Sequence, residues 1–249
     1  MGRKIMKQAA SKTHATRTVI ELRKKILGGE LPGGTRLYEV PLAEELEISR
    51  TPLRDAMSRL AEEGLLERAR SGGFVVRQFS FADVIDAIEI RGVLEGTAAR
   101  LAAERGVKPE AMASIQAVVK ELDGVFGANP GEVEFEAYSE LNARFHAELA
   151  ALSGSKIVEK EVERAARLPF ASPSAFLPDK TDIAAFRRSL NIAQEQHRAI
   201  VQAIAAREGA RAEALAREHA RIARRNIEYV LLEDRSLIER VPGLALVVA

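Results

Sequence analysis

The chain carries only four histidines in 249 residues. Three of them, His146, His197 and His219, fall in three separate stretches of helical periodicity. His14 lies in a basic, aperiodic N-terminal stretch and has no evident role. Asn142 stands four residues before His146, so the two share one helix face. Three helices that each turn one imidazole inward can build a metal site in the interior of a bundle. Imidazole nitrogen with a further oxygen ligand suits zinc and its neighbours in the first transition row. A histidine on a helix is more commonly a surface residue or a satisfied core residue, and spacing alone leaves that alternative open. A second group of residues points to different chemistry. Ser49-Arg50-Thr51-Pro52-Leu53-Arg54 places two arginines and two hydroxyls in six positions at the start of a helix. Arg50 and Arg54 share a face, and a bidentate arginine–guanine contact is worth about 1–3 kcal/mol of discrimination between bases. A merely solvated helix face is the plainer account of those arginines.

Composition narrows the field. The chain has no cysteine, which removes thiol nucleophiles, disulfides and thiolate metal sites. It has no His-Glu-x-x-His, nucleophile elbow or P-loop. Apolar residues make up 47% of the chain, too many for a disordered polymer. No apolar run approaches the length of a bilayer, and a soluble, cytoplasmic protein with no membrane partner is expected. The net charge of +1 hides an asymmetry. Residues 1–77 hold 15 Lys and Arg against 10 Asp and Glu, whereas residues 78–249 hold 22 against 26. A basic head on an acidic body suggests a polyanion partner for the head alone.

The elements that must position these residues follow from periodicity. Residues 1–15 read as a disordered tail. Val19, Leu22, Ile26 and Leu27 mark a first helix, and a turn-rich stretch follows through Thr35. A short helix runs through Pro41–Leu46. A third spans about 50–63, with Ser49 placed to cap it and Pro52 in its first turn. Leu65–Arg68 and Phe74–Arg77 read as two short strands around the turn Ala69–Gly73. Two helices, a tight turn between them and a two-stranded wing make a winged helix-turn-helix over 16–79, with Arg70, Ser71 and Gly72 at the wing tip. From Phe81 every strong signal is helical, over about 81–106, 109–126, 132–152, 155–168, 182–206 and 209–233. The expected fold is therefore mainly α: an N-terminal winged helix-turn-helix and a C-terminal all-α bundle of six to seven helices over 80–235, then a tail over 236–249. Residues 168–179, with three prolines, read as an irregular loop.

The stretch from Leu31-Pro32-Gly33-Gly34-Thr35 through Leu42-Ala43-Glu44-Glu45-Leu46-Glu47-Ile48-Ser49-Arg50-Thr51-Pro52-Leu53-Arg54-Asp55-Ala56 to Glu63-Gly64-Leu65-Leu66 resembles the DNA-binding domain of the GntR family. The resemblance implies operator contacts at Ser49, Arg50, Thr51 and Arg54 and at the wing tip Arg70, Ser71 and Gly72. Val40 departs from relatives that carry an arginine there. Residues 81–233 resemble the helical effector-binding domain of the FadR subgroup, the FCD domain. Arg91-Gly92-Val93-Leu94-Glu95, Asn142-Ala143-Arg144-Phe145-His146, Glu195-Gln196-His197-Arg198 and Arg217-Glu218-His219 carry it. Such domains commonly hold a divalent metal through one Asp and three His. The matching positions are Asn142, His146, His197 and His219, with zinc the first expectation and nickel or manganese as alternatives. Asn142 stands where Asp is commonest, which implies weaker metal binding and a site more favourable to an anion.

The resemblance also implies a small carboxylate effector. Arg91 is the residue nominated to grip it, with Asn226 as a further contact. An intrahelical ion pair from Arg91 to Glu95 is the competing account. The function expected on these grounds is a homodimeric, ligand-responsive regulator, a repressor of a catabolic operon, that binds double-stranded operator DNA. A metal-dependent hydrolase built on the three histidines and a ligand-free architectural DNA-binding protein are the alternatives.

Overall fold

The computed structural model describes residues 17–127, 132–168, 171–172, 184–233 and 243–248. The chain divides into two compact units, one of Met1–Ala82 with Pro242–Ala249 and one of Asp83–Val241. The expected tail over 1–15, most of the expected loop at 168–179, and residues 236–242 lie outside the described residues.

In the first unit, helix α1 covers 17–27 and buries Val19, Leu22 and Ile26 at helical spacing. Strand β1 (Arg36–Leu37) leads into helix α2 (Glu39–Glu45), which buries Leu42 and Ala43. Helix α3 (Arg50–Glu62) buries Leu53, Ala56, Met57 and Leu60 on one face. Its opposite face, with Arg50, Thr51 and Arg54, is left exposed. Strands β2 (Leu66–Arg68) and β3 (Phe74–Val76) form the antiparallel wing. Strand β1 adds to the free edge of β3, giving the order β1-β3-β2. The sequence reading did not assign β1, because two residues are too few to display a period of two. Ser49 occupies the N-cap position of α3 in extended conformation, but its side chain makes no capping hydrogen bond. The expectation that Ser49 caps this helix is thus corrected, and its exposed hydroxyl is not committed to the helix end.

Strand β4 (Phe79–Ser80) pairs in parallel with strand β5 (Val247–Val248). The amide of Gly243 also donates to the carbonyl of Leu27 at 2.7 Å. The apolar C-terminal residues therefore close onto the first unit.

The second unit is helical. Helix α4 (Phe81–Arg105) is followed by α5 (Pro109–Gly124), α6 (Phe135–Leu152), α7 (Lys156–Ala166), α8 (Ala184–Ala205) and α9 (Gly209–Glu228). A π-helical turn over Tyr229–Glu233 continues α9, where an unbroken α-helix was expected. The core gathers Ile115 and Leu122 of α5, Phe145 and Leu149 of α6, and Ile200 and Ile204 of α8. Small residues set the spacing between α4 and α9. A Cβ on Gly92 would meet the Cβ of Ala220 at 2.8 Å, and one on Gly96 would meet Arg217 Cγ at 2.8 Å. These glycines let the helix bearing Arg91 and Glu95 lie close against the helix bearing His219.

Candidate metal centre and DNA-reading surface

Helices α6, α8 and α9 bring His146, His197 and His219 together in the interior of the second unit, all three buried. Nε2 of His219 lies 3.1 Å from Nε2 of His197 and 3.3 Å from Nε2 of His146. Each Nδ1 faces an oxygen on the other side of its ring. His146 Nδ1 meets Glu95 Oε1 at 2.8 Å, His197 Nδ1 meets Gln194 Oε1 at 3.0 Å, and His219 Nδ1 meets Gln196 Oε1 at 3.3 Å. A neutral imidazole that donates from Nδ1 keeps its lone pair on Nε2. Three such lone pairs converging at these distances repel unless a cation lies among them. Nitrogens held about 2.0–2.1 Å from one ion stand roughly 3.0–3.4 Å apart, which is the spacing seen here. The donor set, its separation and its oxygen backing all fit a divalent metal.

The backing of His197 is fixed by a chain of bonds. Gln194 is buried, and its amide nitrogen donates to the carbonyl of Val119 at 3.0 Å and to the Asp123 carboxylate. Its oxygen has only one way to face, toward His197. Arg198 in turn holds Asp123 at 2.8 Å. Phe145 packs against the rings of both His146 and His197. Burial first, and then the neighbouring imidazoles, push His197 and His219 well below the usual histidine range. Both are therefore neutral, as ligands must be. Burial alone would raise the Glu95 carboxyl, but its neighbours His146 and Arg91 outweigh it and bring it down to about 2.

A small cavity of about 40 Å³ lies beside this cluster. Arg91, Asn142, His146, His219 and Asn226 all line it, together with Tyr138. Asn142 is 3% exposed. Asn226 donates to Ser189 Oγ at 3.2 Å. Arg91 is 2% exposed, and its Nε and Nη1 have no hydrogen-bond partner among the described residues. Its approach to Glu95 is 3.7 Å, an ion pair but not a hydrogen bond. The ion pair with Glu95, the competing account of Arg91, is thus present. Glu95 is the residue whose role sequence reasoning missed. It was weighed only as a partner for Arg91, whereas it also orients His146. Its spacing of four from Arg91 signalled the pair, but nothing in the sequence linked it to a histidine 51 positions away.

In the first unit, Ser49, Arg50, Thr51 and Arg54 all lie exposed at the start of α3. The structure joins the two arginines through a residue the sequence reading passed over. Glu39 of α2 accepts from Arg54 Nε at 2.8 Å and from Arg54 Nη2 at 2.6 Å, and from Arg50 Nη2 at 3.4 Å. Arg70, Ser71 and Gly72 are exposed at the turn between β2 and β3. Arg36 of β1 donates to the carbonyl of Gly72 at 2.8 Å and so braces the wing tip. A Cβ on Gly72 would meet nothing within 4 Å, so this backbone is open to close approach.

Residues 15–76 match the bacterial regulatory proteins of the gntR family, and residues 86–221 match the FCD domain. The chain belongs to the GntR family, with an FCD domain. This GntR/FCD protein is 36% identical over 129 residues to the Nta operon transcriptional regulator of Aminobacter aminovorans, covering 52% of this chain and 59% of that one. It is 39% identical over 102 residues to the probable D-xylose utilization operon transcriptional repressor of Paenarthrobacter nicotinovorans, covering 40% and 45%. The matched stretch spans about half the length of these two relatives. The solved structure of E. coli McbR/YncC is similar over 87% of this chain and 96% of that chain, with a TM-score of 0.58 and 21% identity, a likeness of fold. The matches are to regulators and not to an enzyme family, which removes the support for the hydrolase alternative. Among the described residues no helix is long and apolar enough to cross a membrane.

Proposed function

We propose that this GntR/FCD protein is a cytoplasmic, homodimeric repressor of a catabolic operon, whose helical unit binds a small organic acid with the help of a divalent metal. The observation that carries the effector reading is the cavity that Arg91 shares with two of the three converging histidines. There, guanidinium nitrogens that make no hydrogen bond among the described residues stand beside imidazoles whose lone pairs converge. His146, His197 and His219 would hold the ion, with Asn142 as a neutral oxygen donor. A bound divalent ion supplies positive charge and open coordination positions for a carboxylate. Arg91 would orient the acid, and Asn226 would contact its far end. Ser49, Arg50, Thr51 and Arg54 would read operator bases and phosphates from the major groove, while Arg70, Ser71 and Gly72 would approach the adjoining backbone. Repression is favoured by the relative named as a repressor of D-xylose utilization. The reading requires that the acid bind one state of the dimer better than the other, so DNA must also alter acid affinity.

Two variants test it. Arg50→Ala is expected to abolish operator retardation in gels while metal content by elemental analysis stays at the wild-type level. His197→Ala is expected to lose the metal and the response to acids while still retarding operator DNA. Full metal content in His197→Ala, or unchanged operator affinity in Arg50→Ala, would overturn the corresponding half of the reading.

A further inference from the structure

We infer that the effector is a small dianion, a short-chain dicarboxylate, and that Asn142 is the residue that sets this preference. The inference rests on the reading above that the imidazoles hold a divalent metal. Eleven residues line the cavity; Arg91 is a cation and none is Asp or Glu. Among the described residues the buried carboxylate nearby is Glu95, behind Arg91 and His146. Its single negative charge offsets the single charge of Arg91. The three imidazoles are neutral ligands, and so is the Asn142 amide. Two positive charges brought by a divalent ion would then have no counter-charge in the walls. Buried net charge is strongly unfavourable, and it favours a ligand that enters with two negative charges over one that enters with one.

The arrangement of groups suits two carboxylates. Arg91 is the cation of the lining, and its Nε and Nη1 make no hydrogen bond among the described residues, so its guanidinium is the seat for one of them. The imidazole side offers the second seat. Leu190, Ala193, Ile222 and Ala223 supply the apolar part of the lining, which matches a short methylene link. An Asp at position 142 would place one negative charge in the lining and leave room for a monoanion only. The side chains of Asn and Asp have nearly the same shape, so the substitution changes charge with little change of packing.

The test uses the full chain, stripped by chelator and reloaded with zinc, as wild type and as Asn142→Asp. Zinc uptake is measured first. Malonate and succinate are then titrated calorimetrically against acetate and propionate. Wild type is expected to bind the better diacid at least about tenfold more tightly than either monoacid, since one unit charge a few ångströms away is worth that or more inside a protein. Asn142→Asp is expected to bind zinc more tightly and to lose that preference. Zinc uptake without a diacid preference in wild type, or a preference unchanged in Asn142→Asp, overturns the inference and leaves the metal reading intact. No zinc uptake by either protein overturns both.

Discussion

Glu39 shows how a single carboxylate organises the arginines proposed to read DNA. Its side chain is 17% exposed, whereas those of Arg50 and Arg54 are more than half exposed. Hydrogen bonding from Arg54 holds its carboxyl below the usual glutamate range. The pair's contribution is therefore present above about pH 4.5 and is lost as the pH falls through the lowered value. With Glu39→Gln, Arg54 loses its bidentate partner and the surface gains one positive charge. Affinity for random DNA is expected to rise and the ratio of operator to random binding to fall, by several-fold, as read from competition gel shifts. An unchanged ratio would mean that Glu39 does not set the pose of the arginines. The arginines themselves were legible in the sequence, since their spacing of four fixes a common face. Glu39 was not, because its partner lies on another helix and no local spacing reports a contact across a turn.

Among the elements, α4 has the most to position. It must bring Arg91 to the cavity and Glu95 to His146 while lying close enough to α9 for His219 to join His146. Gly92 and Gly96 meet that requirement at two successive turns of the helix. Gly92→Ala would drive a methyl into Ala220 and force the helices apart, at a cost of about 1–3 kcal/mol from overpacking. The midpoint of chemical denaturation is expected to fall, and zinc affinity with it. A stable variant with normal zinc affinity would show that the close approach is not needed. At this scale the helices of the second unit were readable from apolar periodicity to within a few residues. The strands β1, β4 and β5 were not. Each is only two residues long, and each exists because a distant segment offers it hydrogen bonds. The convergence of three histidines was suggested by the resemblance and not by spacing, since a helical period gives a face but not the direction that face takes in a bundle.

At the scale of the whole molecule, the balance of charge is uneven between the two units. The excess of positive charge lies in residues 1–77 and the excess of negative charge in residues 78–249. Binding of operator DNA is accordingly expected to weaken steeply as salt rises, through release of counterions by the basic head. Acid binding in the helical unit is expected to change far less over the same range, because its charges are buried. Equal salt slopes for the two ligands, measured by fluorescence titration, would contradict this separation.

The parallel pairing of β4 with β5 has a consequence for how the protein is made. Phe79 and Val247 are hydrogen-bonded neighbours, yet the whole helical unit is synthesised between them. The DNA-reading head therefore cannot acquire its last strand while the ribosome is still extending the helices. Closing so long a loop is also slow and entropically costly. A head excised at Ala82 would lack that strand and is a different object from the head of the full chain. Newly made protein thus has an interval in which its helical unit can be complete and its head unfinished.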